Sequence, residues 1–210
     1  MVKKLKDRNE ILQAFEIKGW KTIKQVSKEV GLSYQPIYTY LKELTEKGFL
    51  NHKREGNIHL YSLNLKNKSV LREIENTEFK RGQELLGSLD KKTNSALIEF
   101  IEDTKKETPA RTILVYGSTA RKSRKESSDI DVFVVIDSNS YEKIKRRANT
   151  INMKYNVHIS PVVTSLKEFK NMLIERNKFT ENLLSEKLIL YGFEFFYNEL
   201  VKSMEKLKWI

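Results

Sequence analysis

The chain has 210 residues, 39% hydrophobic and 32% charged, which suits two small folded domains and excludes a disordered chain. It has no cysteine, which excludes disulfides and thiolate metal sites, and no apolar run long enough to span a membrane. The formal net charge is +11, and residues 1–68 hold 14 of the 39 Lys/Arg against only 7 of the 28 Asp/Glu. Such a concentration is the electrostatic footprint of nucleic-acid binding, although a Lys-rich surface kept for solubility would look the same. The start, Met-Val-Lys-Lys-Leu-Lys, has no apolar signal core, so a cytoplasmic location is expected.

Residues 6–18 place Ile11, Leu12 and Phe15 at helical spacing, and Gly19 ends the segment. Thr22 with Gln25 three later makes a capping box for a second helix, whose inner face is Ile23, Val26 and Val30. Gly31-Leu32-Ser33 is a tight turn, and Ser33 can cap a third helix that tolerates Pro36 in its first turn. Ile37, Leu41 and Leu44 form the apolar stripe of that helix, and Gly48 closes it. Two apolar stretches, 49–51 and 58–63, flank His52-Lys53-Arg54-Glu55-Gly56-Asn57, a β-hairpin with a basic tip.

Three helices and a basic hairpin over residues 6–65 resemble the winged helix-turn-helix of bacterial and archaeal regulators. The resemblance is carried by Gly31-Leu-Ser-Tyr-Gln-Pro-Ile-Tyr-Thr-Tyr-Leu-Lys-Glu-Leu-Thr-Glu-Lys-Gly-Phe-Leu. It implies that the third helix enters the major groove of double-stranded DNA. The outward residues there are Ser33, Tyr34, Gln35, Tyr38, Thr39 and Lys42. Gln35 can pair with adenine, the tyrosines can meet phosphates or thymine methyls, and Lys53 and Arg54 on the wing would touch phosphates. A winged helix used only for protein docking or dimerisation is the competing reading.

Residues 66–106 read as mostly helical, broken at Gly87-Ser88-Leu89-Asp90, with a second helix over 95–104; Thr108-Pro109 ends the region. Two short β-branched and aromatic runs follow, 113–116 and 130–136, both expected as buried strands. Gly117 follows the first, where a backbone without Cβ can bend sharply or approach a ligand. Ser118 adds a hydroxyl and a helix cap, and Arg121, Lys122, Arg124 and Lys125 add positive charge, a setting that favours phosphate. Asp129 and Asp131 open the second strand two residues apart, so their carboxylates face the same way. Such a pair repels itself unless a cation intervenes, and hard oxygen ligands suit Mg²⁺. Beyond it, 139–154 reads as a helix, 156–163 as a third strand, and 166–175, 179–190 and 193–207 as helices.

This stretch resembles the nucleotidyltransferases of the polymerase-β type, above all the minimal nucleotidyltransferases of prokaryotes. Their signature is Gly-Ser followed, after a spacer, by Asp-x-Asp between two strands. Gly117, Ser118, Ala120, Arg121, Ser128, Asp129, Ile130 and Asp131 match it. The resemblance implies that Asp129 and Asp131 hold Mg²⁺ as catalytic metal ligands. It also implies that Gly117, Ser118, Arg121 and Lys122 bind the phosphates of a nucleoside triphosphate, ATP first among them. Where the family carries a glycine this chain has Lys122, and the third carboxylate expected on the next strand is missing. His158, Ser160 and Val162 face one way there, and Glu126, Asp137 or Glu168 would have to stand in.

The expected class is α+β. A winged helix-turn-helix (1–66) is followed by a helical connector (67–91) and a nucleotidyltransferase α/β domain with a small mixed sheet and C-terminal helices (92–210). Candidate partners are double-stranded DNA, a nucleoside triphosphate, a HEPN-type protein and a second copy of the chain. Transfer of a nucleoside monophosphate to a protein or small-molecule hydroxyl is one function. A non-catalytic regulator that senses nucleotide is another, and an interaction module in which neither site works is a third.

Overall fold

The computed structural model describes residues 8–15, 19–124, 128–137 and 140–207. It divides into two compact units, Met1–Asn76 and Thr77–Ile210. Residues 16–18 of the first expected helix, together with Lys125, Glu126 and Asn139, lie outside the described residues.

The first unit runs α1 (Arg8–Gln13), β1 (Lys21–Thr22), α2 (Ile23–Val30), α3 (Tyr34–Glu46), β2 (Leu50–Glu55) and β3 (Ile58–Leu63). The Thr22–Gln25 capping box forms in both directions: the Gln25 N–H donates to Thr22 Oγ1 at 3.3 Å, and the Thr22 N–H to Gln25 Oε1 at 2.8 Å. Gly31 closes α2 at φ 75°, a left-handed conformation that glycine adopts without steric cost. Ser33 occupies the N-cap position of α3, but its hydroxyl makes no capping bond, contrary to expectation. Strand β1 was not expected; its two residues pair with Leu60 and Tyr61 of β3. The hairpin is longer than expected: pairing continues to Glu55↔Ile58, leaving only Gly56-Asn57 as the tip. Ile11, Val26, Ile37, Leu41 and Leu63 are buried together as its core, the arrangement of a winged helix.

Helix α4 (Lys68–Ser88) precedes α5 (Lys91–Glu107), β4 (Ala110–Val115), the four-residue α6 (Gly117–Ala120) and β5 (Ile130–Ile136). Next come α7 (Tyr141–Tyr155), β6 (Ile159–Ser165), α8 (Leu166–Glu175), α9 (Lys178–Glu186), β7 (Leu188–Tyr191) and α10 (Phe193–Lys206). The mixed sheet has the order β6-β5-β4-β7. β5 and β6 are parallel, joined by α7, and the other pairs are antiparallel. One face carries Ile113, Val115, Val132 and Val134 against Leu97 and Phe100 of α5 and Ile144 and Ala148 of α7. On the other face Phe133 meets Phe169 of α8, which meets Phe196 of α10. With both faces covered, β5 is a continuous apolar run rather than an alternating one.

Several ends differ from the sequence reading. Asp90, read as part of a break, caps α5 by accepting from the Lys92 and Thr93 N–H groups, so the helix starts four residues early. The strand expected over 156–163 is Ile159–Ser165. The helix expected over 179–190 stops at Glu186, and Leu188–Tyr191 forms an edge strand beside β4. The N–H of Ile189 on that strand donates to buried Glu78 of α4 at 3.1 Å. Glu78 also accepts from the Tyr197 hydroxyl at 3.5 Å and lies 3.8 Å from the ammonium of buried Lys187. Burial pulls Lys187 below its ordinary pKa, and the Glu78 carboxylate opposes that shift. The opposite edge strand, β6, carries Pro161, which has no N–H to offer a further strand.

Candidate functional site

Antiparallel pairing of β4 and β5 brings the end of β4 to the start of β5, which is how one turn and one carboxylate pair meet. The Tyr116 N–H donates to the Asp131 carbonyl at 3.2 Å. Gly117 follows at φ 62°. A Cβ there would lie 3.3 Å from Asp131 Oδ2, so the carboxylate sits directly over the glycine turn. Ser118 is half-buried in α6, and its carbonyl accepts from the Ser123 N–H at 2.9 Å. Lys122 has φ 56°, a left-handed conformation that costs a lysine about 1–3 kcal/mol and that a glycine would adopt freely.

Asp131 is partly buried, and Asp129 beside it is exposed. Burial, and then the charge of Asp129, push the Asp131 carboxyl above its ordinary value. Burial, and then the charge of Asp131, raise the Tyr116 phenol. A mutually repelling pair of hard oxygen donors beside the glycine turn fits a divalent ion such as Mg²⁺. Among the described residues no cluster of three or more carboxylate, imidazole or thiol groups adds further ligands.

The third strand supplies no acid. Ser160 is the register partner of Asp131, and parallel partners share a face. His158 lies just before β6, with Nδ1 2.9 Å from Asp129 Oδ1. Two of the carboxylates considered as stand-ins are engaged elsewhere. Glu168 is the capping-box residue of α8. It accepts from the Ser165 N–H and hydroxyl and from the Tyr141 hydroxyl, which hold its carboxyl down at about 2. Asp137 follows the far end of β5, six residues or about 20 Å along the strand from Asp131, and pairs with Arg111. Glu126 lies outside the described residues.

Both cations assigned to phosphate have partners from distant parts of the chain. Arg121 donates to Glu186 at the end of α9, and Lys122 Nζ lies 2.8 Å from Glu84 Oε2 of α4. Phe179, in the first turn of α9, stands edge-on to Tyr116 at 5.9 Å between ring centroids and tilted against Phe133 at 6.2 Å. None of these three neighbours was foreseen. They are long-range contacts, and nothing in their local sequence marks them.

In the winged helix, Ser33, Tyr34, Gln35, Tyr38, Thr39 and Lys42 are all exposed, on the side of α3 opposite Ile37 and Leu41. Burial, and then the phenols of Tyr38 and Tyr34, raise the phenol of Tyr61 on β3. On the wing, Lys53 pairs with Glu55 at 2.6 Å and sits 4.6 Å over the Trp20 ring. Arg54 donates to the Gly56 carbonyl and to Asn57 Oδ1. Behind them His52 and His59 stack with ring nitrogens 2.8 Å apart.

The family model for the nucleotidyltransferase domain matches residues 97–208, just over half of the chain. The chain belongs to that family. The match contains the Gly-Ser turn, both aspartates and the mixed sheet, so the nucleotidyltransferase resemblance drawn from 111–137 is borne out at the level of family and fold. The penicillinase repressor model matches residues 8–110, which contain the winged helix. No curated protein matches. Similar solved structures include a toxin-antitoxin with AMP-PNP (14% identity, TM-score 0.39, over 54% of this chain and 86% of that one). Another is the PcaV transcriptional regulator from Streptomyces coelicolor (19% identity, TM-score 0.32, 50% of this chain and 76% of that one). A third is Lactococcus lactis ZitR in complex with DNA (20% identity, TM-score 0.30, 50% and 75%). Among the described residues no helix is long and apolar enough to cross a membrane.

Proposed function

We propose that the protein is a DNA-binding regulator whose nucleotidyltransferase domain binds a Mg²⁺-nucleoside triphosphate and transfers nucleotide slowly or not at all. The observation that carries this is the register of β6: Asp131 is opposed by Ser160, and no acid of that strand reaches the pair. Asp129 and Asp131 would hold the ion, which supplies charge neutralisation for the triphosphate. The Gly117 turn lets phosphate approach backbone, Ser118 offers a hydroxyl, and Arg121 and Lys122 exchange their carboxylate partners for phosphate oxygens. An acceptor hydroxyl arriving beside Ser160 would meet no anionic base on β6, and base assistance is worth roughly 10²–10⁴ in rate. His158 is held 2.9 Å from Asp129 through Nδ1, before the strand begins. The winged helix supplies the second half of the function: its basic excess gives affinity for duplex DNA, and exposed Gln35 and Tyr38 supply base contacts.

Calorimetry tests the metal and nucleotide together. The natural protein should bind ATP only with Mg²⁺, and Asp129→Asn/Asp131→Asn should lose that dependence. Equal Mg²⁺-dependent binding by both proteins would remove the assigned site. Release of labelled pyrophosphate, with cell extract supplying acceptors, tests turnover. Rapid release that Asp131→Asn abolishes would refute the regulator reading in favour of an active transferase.

A further inference from the structure

We infer that Phe179, braced by Tyr116, is the platform on which the base of the nucleotide stacks; this rests on the nucleotide reading above. Phe179 is a large apolar side chain left 39% exposed. It sits where both halves of the motif converge. Its ring is edge-on to Tyr116, the residue before Gly117. It also touches Phe133, which follows Asp131 by two residues and so shares its face of β5. The other end of α9 carries Glu186, which pairs with Arg121. Phe179 and Glu186 are seven residues apart, about 10 Å along the helix axis. One helix therefore sets an exposed aromatic face at one end and the cation assigned to phosphate at the other. That is the order of groups along a nucleoside triphosphate, base first and phosphates last.

The described ring neighbours of Phe179 are Tyr116 and Phe133, and the contact the platform offers a base is its ring face. Every base has a π-face, so stacking of this kind tolerates base identity and favours the larger purines. The site should therefore take ATP and GTP with similar affinity and CTP more weakly.

The test compares ATP, GTP and inorganic tripolyphosphate, each with Mg²⁺, by calorimetry on the natural protein, Phe179→Leu and Phe179→Trp. Leucine keeps the packing on Phe133 and removes the ring. Thermal melting establishes that each variant is folded. Phe179→Leu should weaken ATP and GTP binding alike, by about 5- to 150-fold, the range seen when a stacking aromatic is removed. It should leave tripolyphosphate unchanged, and Phe179→Trp should restore or tighten nucleotide binding. If the natural protein binds ATP no better than tripolyphosphate, or Phe179→Leu binds ATP normally, the platform is refuted while the phosphate site stands. If the natural protein binds neither ligand, the nucleotide reading itself has failed and the platform with it.

Discussion

In the proposed site Arg121 would turn from Glu186 toward phosphate, so Glu186 would compete with the triphosphate for it. The pair is half-exposed, with side chains 49% and 34% accessible. An ion pair with that access to water contributes about 0.2–1 kcal/mol, because solvent screens it and two long side chains lose freedom in making it. Removing the competitor should therefore raise Mg²⁺-ATP affinity only modestly, by about 1.4- to 5-fold for Glu186→Gln. Deleting a negative charge near any anion site has a similar sign, so the contact must be separated from the field. In an Arg121→Ala background Glu186→Gln should do nothing, since the competition is gone; the coupling energy of this double-mutant cycle measures the contact. The assay is calorimetry at low and moderate salt, and the Glu186→Gln gain should shrink as salt screens the pair. An undiminished gain without Arg121 would refute the competition and leave only the field. A loss of Mg²⁺-dependent affinity in Glu186→Gln would refute it more deeply, marking Glu186 as a carboxylate that the ion uses.

Asp131→Asn should be more stable than the natural protein at pH 7 without Mg²⁺. A carboxyl raised above its ordinary 3.8 binds protons in the folded state that the unfolded state has lost. Stability therefore falls as pH rises from that value through the folded one, and the penalty is fully present above it. Melting curves from pH 3 upward should show the variant's advantage appear as pH rises past 3.8 and level off above the folded-state value, and added Mg²⁺ should narrow it. Gly192→Ala should unfold the nucleotidyltransferase unit. Its φ of 74° costs a non-glycine residue about 1–3 kcal/mol, and the new Cβ would lie 1.9 Å from the Arg111 carbonyl oxygen, a backbone atom that cannot step aside; a normal urea midpoint would contradict this. Lys53→Ala/Arg54→Ala should weaken binding to all duplexes and flatten the salt slope by about one to two units. Gln35→Ala should instead relax sequence preference by about 1–3 kcal/mol at one base pair; filter binding over a salt series separates the two. Ser160→Asp should increase Mg²⁺-dependent pyrophosphate release more than His158→Asp does, because Ser160 is the residue in register with Asp131. Equal, unchanged release in both would mean that acceptor binding, not the absent acid, limits transfer.

Much of this was legible because the signals were local. Thr22 and Gln25 form the capping box that their spacing announced, and Gly31 and Gly48 take the positive φ that ends each helix. The run 130–136 is a strand at the limits read from its β-branched composition. Four apolar residues in a row, Leu188-Ile-Leu-Tyr, fit a buried helix end as well as a strand, and periodicity cannot separate the two over so short a run. Their identity is decided by β4, whose paired residues lie 73 to 78 positions earlier in the chain, and by Glu78, whose carboxylate satisfies the N–H of Ile189. Glu84, Glu186 and Phe179 were invisible for the same reason: each meets its partner across 38 to 65 residues of chain.

The empty third position shows what a sequence can carry even when strand limits are misread. The strand began three residues later than expected and ended two later. Alternation does not depend on where a strand begins or ends, only on which residues share a parity. His158, Ser160 and Val162 share one whatever the limits, and the pairing puts Ser160 opposite Asp131 and Val162 opposite Phe133. A slip of one residue in pairing would have turned Ile159 and Pro161 toward the carboxylates instead. Neither parity offers an acid, since residues 157–165 read Val-His-Ile-Ser-Pro-Val-Val-Thr-Ser. The absence of a third carboxylate on this strand is therefore independent of register. Any acid completing the site has to come from another element, and among the described residues Glu186 and Glu84 are already anchored to the motif, through Arg121 and Lys122.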